Sequence, residues 1–339
     1  MADVSVGTVD RVLHGRGGVS TDSRRRVEEV LQRLDYHPNV YASILASNRQ
    51  YLFCCLLPQH GADEYWSEVE LGIHDARQAY ADFNLTVTLF YYDPYDYHSF
   101  GQAACRVAAC VPDGVVLAPT APQHTKAFTD GLAACGIPFI YIDSDIKGEP
   151  ALSFFGQNSH RSGCLAARVL MLLAGAEAEE VVVFRKKNEG IVGSNQQEHR
   201  EVGFREYMER HHPQCRILEL DLQAKHEAGD GQMLDDFFAR HPGVGSGVTF
   251  NSKAYVVGEY LQRQGRRGFN LVGYDLLRRN VDCLRAGSIC FLIAQQPRLQ
   301  GYDCIKTLCD SVVLKRTVER VHYMPIDLLT KENIDFYPR

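Results

Sequence analysis

The chain has 339 residues, of which 45% are hydrophobic and 23% charged. That composition excludes disorder, collagen-like fibre and coiled coil for the bulk of the chain, and the length allows two or three compact units. A net charge of -6 argues against a nucleic-acid binder taken whole.

The charge is unevenly spread. Residues 1–50 carry seven arginines against six acidic residues, so the acidic excess lies in the remainder. No stretch approaches the ~20 apolar residues of a membrane helix. The polar, already patterned N-terminus does not read as a signal peptide. A cytoplasmic protein with no membrane partner is expected. The 11 cysteines are scattered without a Cys-x-x-Cys pair and read as free, mostly buried thiols.

In chain order, SVGTVDRVL suits a short helix with Val6, Val9, Val12 and Leu13 on its apolar side, followed by a turn at HGRGG. Ser20 or Thr21 can cap a second helix whose apolar face is Val27, Val30, Leu31 and Leu34. Pro38 ends it. After a possible cap at Asn39, NVYASILAS is a further short amphipathic stretch, and residues 48–50 read as a linker.

From Tyr51 short apolar runs alternate with longer helical patterns. The runs are 51–57, 85–92, 114–118, 139–143, 151–155, 180–184, 216–222, 247–250, 269–275 and 289–294. Near-continuous apolar strands spaced by helices imply parallel sheets covered on both faces. Ten such units exceed one comfortable doubly wound sheet, so two α/β lobes are expected.

The opening segment, VSVGTVDRVLHGRGGVSTDSRRRVEEVLQRLDYHPNVYASILA, resembles the DNA-binding head of the lactose/purine-repressor (LacI) family over residues 4–46. The shared elements are V-S-x-x-T-V-x-R-V-L, a turn ending in V-S, a helix ending L-x-Y-x-P-N, and A-x-x-L-A. The resemblance implies double-stranded DNA as partner. Ser5, Val6, Gly7, Thr8 and Arg11 would lie on or near the face that enters the major groove. Val6 and Gly7 offer no hydrogen-bonding side chain, so Val6 could touch only a thymine methyl or another apolar base edge. Arg11 is the candidate for a guanine. Thr8, Ser20, Asn39 and the Arg24–Arg26 cluster suit phosphates. Leu45 stands where the family wedges a leucine between base steps, with Ala42 and Ala46 keeping a helix pair close. Family members carry another helix before VSVGTV. The sequence here starts within that region, so residues 1–47 are expected to be poorly stable alone and weak on DNA.

Residues 51–330 resemble the type I periplasmic sugar-binding fold that forms this family's sensor. Tyr65-Trp66, Asp143 at a strand end, HREVGF, TFNSKAYVVG, VGYD and IAQQPRLQGYDCI carry the likeness in family order. It implies a cleft in which Tyr65 and Trp66 stack on a sugar while Asp143, Arg200, Asn251, Asp275 and Gln295 bond its hydroxyls. Trp66 is placed in a loop after the first strand, and Asn251 also suits the cap of a helix starting near Ser252. The segment RKKNEGIVGSNQQ reads as a long loop, which leaves open a modified sugar or a ligand that is not a sugar at all.

The expected architecture is therefore α/β: a partial helix-turn-helix head (1–38), a hinge helix and linker (39–50), and a two-lobed sensor. Its first lobe is 51–156 with 295–321, and its second is 157–294 with 322–339. The expected function is a ligand-responsive, sequence-specific DNA-binding regulator, a repressor, sensing a sugar or sugar derivative. It would act as a homodimer on a pseudo-palindromic operator. The alternative is a sugar-binding sensor that does not itself bind DNA. No catalytic motif, metal site or cofactor is read from the sequence.

Overall fold

The computed structural model describes every residue except 1, 14–15, 35–48, 120–121, 176, 189–190, 193–194, 224–228 and 338–339. Two compact units result, 1–50 and 51–339. Asn39, Ala42 and Leu45 fall outside the described residues.

In the first unit, helix α1 spans Val6–Leu13 and α2 spans Thr21–Arg33. Ser5 opens α1, its Oγ accepting the Thr8 amide at 3.2 Å. Ser20 caps α2, its Oγ accepting the Ser23 amide at 3.2 Å. Val12 and Val27 are the buried apolar residues of this unit among those described. Val6 does not join them: it is 87% exposed. Leu34, expected on the apolar face of α2, is also exposed. It sits at the C-cap, past the last helical turn.

The second unit contains two sheets. Strands β1 Tyr51–Pro58, β2 Leu85–Tyr92, β3 Gly114–Leu117, β4 Phe139–Ile142, β5 Ser153–Gly156 and β12 Val321–Tyr323 form the first, in the order β2-β1-β3-β4-β5-β12. All its pairings are parallel. Strands β6 Glu180–Asn188, β8 Arg216–Gln223, β9 Ser246–Thr249, β10 Asn270–Tyr274, β11 Phe291–Ala294 and β13 Asp327–Leu329 form the second, in the order β8-β6-β9-β10-β11-β13. There β13 runs antiparallel, and β7 Ile191–Val192 hairpins back onto β6.

Each of the ten apolar runs contributes a strand. Central strands such as β1 are apolar almost throughout because helices cover both faces. Edge strand β8 instead alternates Ile217, Leu218, Leu220 and Leu222 with charged residues. In the first lobe α4 Tyr97–Ala109 and α5 Pro122–Ala134 cover one face, and α3 Tyr65–Ala79 with α11 Pro297–Leu308 the other. In the second, α6 Ser159–Ala174 and α7 Asn195–His211 face α8 Asp230–Arg240, α9 Tyr255–Arg263 and α10 Arg278–Ala286 across the sheet.

The chain crosses between lobes three times, after β5, after β11 and after β12. The expected 321/322 boundary therefore falls inside β12, which pairs wholly with β5. Gln157, 2% exposed, joins the three crossings. Its Nε2 donates to Ala294 O at 2.7 Å and Pro325 O at 2.6 Å.

The helix pairs α3–α11 and α6–α7 meet at glycines. A Cβ on Gly163 would lie 1.9 Å from the Arg200 carbonyl oxygen, and one on Gly72 would lie 1.8 Å from that of Arg298. Only glycine permits such backbone approach, and the first of these contacts fixes the height of Arg200 above the second sheet. Among the described residues no helix is long and apolar enough to cross a membrane.

Candidate functional site: an interlobe cleft and an exposed helix face

The strand ends of both sheets meet around a cavity of about 170 Å³. Tyr65, Trp66, Asp143, Arg200, Asn251, Asp275 and Gln295, drawn from both lobes and from segments far apart in sequence, all line it. Lys186, Gln196, Gln197, Lys253, Glu64 and Tyr95 line it as well and were not anticipated.

Arg200 is the centre of the arrangement. It is 2% exposed, donates Nη1 to Phe250 O at 2.8 Å and Nη2 to Gln295 Oε1 at 2.7 Å, and lies over the Tyr274 ring at 3.9 Å. Its Nε has no hydrogen-bond partner among the described residues. The aromatic face compensates part of the buried charge. Gln196, one turn earlier on α7, donates to Gln295 Oε1 and to Asp143 O, both at 3.0 Å. Gln295 in turn donates to Asp275 Oδ1 at 2.6 Å.

Asp143 and Asp275 each follow a buried strand and sit in the left-handed region, with φ of 70° and 69°. Asp is among the few residues that enter it at modest strain. Burial pushes the Asp143 carboxyl up to about 6. Arg200, the Tyr65 hydroxyl and Gln196 oppose that shift, and Asp275 reinforces it. Burial likewise lifts Asp275 to about 6 against the pull of Arg200 and Gln295. Asn280, fully buried, fixes the adjoining loop by donating to Ser252 O, Tyr274 O and Asp275 O and accepting the Tyr255 amide.

The aromatic pair differs from expectation. Tyr65 and Trp66 form the first turn of α3, not a loop. Their rings meet edge to face at 5.1 Å, and the Tyr65 hydroxyl donates to Gln300 Oε1 at 3.4 Å. Asn251 does not cap a helix. Its Oδ1 accepts the Lys253 amide at 2.8 Å within a turn, and α9 begins at Tyr255. The segment read as a long loop continues β6 to Asn188, which carries Lys186 into the cleft. There its Nζ lies 2.5 Å from Asp230 Oδ2 and 2.6 Å from Gln223 O. At the mouth, Lys253 Nζ reaches Glu64 Oε1 of the other lobe at 3.1 Å. Burial lifts the Glu64 carboxyl, but the Gly61 amide and Lys253 outweigh it and hold the group low.

In the first unit, Ser5, Gly7, Thr8 and Arg11 lie on or beside the exposed start of α1 near Val6. The Ser5 and Thr8 hydroxyls are 2.9 Å apart. Arg25 and Arg26 both pair with Asp22, whereas among the described residues Arg24 reaches Glu28 at 4.0 Å and Arg16 O at 3.5 Å. Ser20 is engaged as the cap of α2. Of the 11 cysteines, all free, five are buried and Cys105, Cys110 and Cys135 are exposed, so fewer than half are buried where most were expected to be. No group of three or more His, Cys, Asp or Glu among the described residues is placed to hold a metal ion.

Two family models match the chain: bacterial regulatory proteins of the lacI family over residues 1–39, and the periplasmic binding protein domain over 54–315. A stretch of 79 residues is 37% identical to catabolite control protein A of Staphylococcus epidermidis, covering 23% of this chain and 24% of that protein. The chain thus spans about a quarter of the length of the curated relatives it matches. A crystal structure from Bacteroides fragilis, provisionally described as a LacI transcriptional regulator, is 58% identical with a TM-score of 0.83, covering 86% of this chain and 100% of that one. A glucose-galactose binding protein of Geobacillus stearothermophilus, 19% identical with a TM-score of 0.73 over 85% of this chain and 99% of its own, shares the fold.

Proposed function

The chain belongs to the lacI family of bacterial regulatory proteins, with a periplasmic binding protein domain as its larger part, and from that membership we propose that it is a ligand-responsive, sequence-specific DNA-binding regulator of transcription. The observation that carries the reading is the pairing of two features in one chain. One is a helix whose first turn leaves Val6 in solvent beside Ser5, Thr8 and Arg11. The other is a two-lobed body whose acid, amide and guanidinium groups converge on a cavity.

The effector is a sugar or sugar derivative, bound and not transformed. Asp143, Asp275, Arg200, Gln295 and Asn251 take its hydroxyls, and Tyr65 and Trp66 bound it apolarly. Ser5, Val6, Gly7, Thr8 and Arg11 meet base edges and nearby backbone, while Ser20, Arg24 and Asn39 meet phosphates. Residues 39–50 act as hinge, with Ala42 and Leu45 at the minor groove. The protein works as a cytoplasmic homodimer on a pseudo-palindromic site. Closure of the lobes on the ligand respaces the two hinges, coupling the sites through one two-state element.

Selection of duplex DNA from a random library by the full chain, repeated with and without sugars, tests the proposal. A pseudo-palindromic consensus whose recovery changes with one sugar is expected. Sugar binding with no DNA selected would leave only a sensor, and selection unaffected by any small molecule would remove the regulatory cleft.

A further inference from the structure

The cleft holds three cations, and two of them are already paired with acids. Lys186, in the cavity lining, is bound by Asp230 and Gln223 O. Lys253 pairs with Glu64 across the mouth. Arg200 donates both terminal nitrogens to neutral oxygens, Phe250 O and Gln295 Oε1, and lies over Tyr274, with its Nε unpartnered among the described residues. The carboxylates are placed differently. Asp143 and Asp275 both line the cavity, and each feels Arg200 through space without a hydrogen bond from it. Asp275 receives Gln295 on Oδ1 alone among the contacts described.

An entering group therefore meets two acceptors of like charge. Counting Glu64 and Asp230 with them, four acids stand against three cations in and around the cavity. A hydroxyl can donate to either carboxylate. A phosphate or carboxylate would lose its water, find Arg200 as the one lining cation not already paired with an acid, and face two carboxylates against that single charge. The cavity of about 170 Å³ is on the scale of roughly a dozen water-sized positions, suited to one sugar ring.

Resting on the sugar-sensing reading above, we infer that this cleft takes an uncharged monosaccharide and rejects its phosphorylated and carboxylated derivatives, with Asp143 and Asp275 as the two residues that set that choice. The discrimination works by exclusion as much as by attraction, since the acids that accept the hydroxyls are those that repel the anion.

The test is calorimetry on the full chain with matched sets of pentoses and hexoses: each neutral sugar, its terminal phosphate and its uronic acid. At least one neutral sugar should bind, with its phosphate and uronate about a hundredfold weaker. In a D143N/D275N variant that gap should narrow to below about tenfold, whatever happens to the affinity of the neutral parent. A phosphate or uronate binding as tightly as its parent would overturn the inference while leaving sugar sensing intact. A gap unchanged in the double variant would overturn the assignment of the two acids. Failure of every sugar, charged or neutral, would remove the sugar-sensing reading and the inference with it.

Discussion

Asp143 and Asp275 occupy equivalent places in the two lobes. Each is the residue after the fourth strand of its sheet, counted from the β2 or β8 edge. Each donates its amide to the strand beside it, Asp143 to Phe155 O at 2.8 Å and Asp275 to Ile293 O at 3.0 Å. Two residues beyond those acceptors stand Gln157 and Gln295, again in matching positions. The two glutamines have diverged in use: one ties the crossings together, and the other orients Arg200 and Asp275.

Replacing Asp275 by Ala should weaken binding of the effector by about 1.5–3 kcal/mol, the range for a hydrogen bond to a charged group. Arg11→Ala, in the other unit, should leave that affinity unchanged. Titration of both variants with the same sugar checks this, and equal losses would remove Asp275 from the site.

The two raised carboxyls give a pH signature. An acid with a higher pKa folded than unfolded binds more protons in the folded state between the two values. Its contribution to stability therefore falls as pH rises from the ordinary carboxylate range to about 6, and is level above that. Effector affinity should move oppositely, rising through pH 6 as the two acceptors ionise. Melting curves of the ligand-free protein and titrations at pH 5, 6 and 7 measure both trends, and D143N/D275N should flatten each.

Gly163→Ala would set a Cβ 1.9 Å from the Arg200 carbonyl. The helices must part, destabilising the sensor by about 1–3 kcal/mol and weakening effector binding through a displaced guanidinium. Gly101 and Gly131, inside α4 and α5 with open space at their Cβ positions, should behave conversely. Alanine there should stabilise by about 0.5–1 kcal/mol each. Chemical denaturation of the three variants compares them directly.

Gln157→Leu would strip the Ala294 and Pro325 carbonyls of their shared donor. A loss of about 1–3 kcal/mol is expected for buried acceptors left unpaired. The change should also alter lobe closure, visible by small-angle scattering as a different response to the effector.

On a selected operator, Arg11→Ala should cost about 1–3 kcal/mol and relax preference at one base pair. Arg24→Ala should weaken all sequences alike and lower the salt slope by about one. Binding isotherms at several salt concentrations separate the two behaviours.

Ten strands and seven cleft residues were legible because burial on both faces leaves long apolar runs, and because strand ends in such sheets converge. Short β12 and β13 were not. Val321 and Tyr323 are about half exposed, and no periodic apolar signal marks their pairing with distant strands. Lys186 could have been found: Val182, Phe184 and Lys186 alternate onto one face of β6, which forces a buried lysine to seek a partner. Gln196 and Arg200 share a helix face by their spacing of four. The Glu64–Lys253 pair had no local signal, because it depends on how two lobes meet across 189 residues of sequence. Val6 illustrates the reverse case, an apolar residue whose helical phase pointed inward while its place at the helix start leaves it in water.

The three crossings between the sheets make each lobe discontinuous along the chain. The helix α6, which shelters Arg200, is reached only through β5 of the other lobe, and α11 returns only after β11 is complete. Neither lobe can be obtained by truncating the gene at one point. Pairings such as β5 with β12 join residues far apart in sequence, so folding must close long loops before those contacts form, as in slow, non-local topologies. Any recombination that moved this sensor onto another head would therefore have to transfer residues 51–339 as an undivided block.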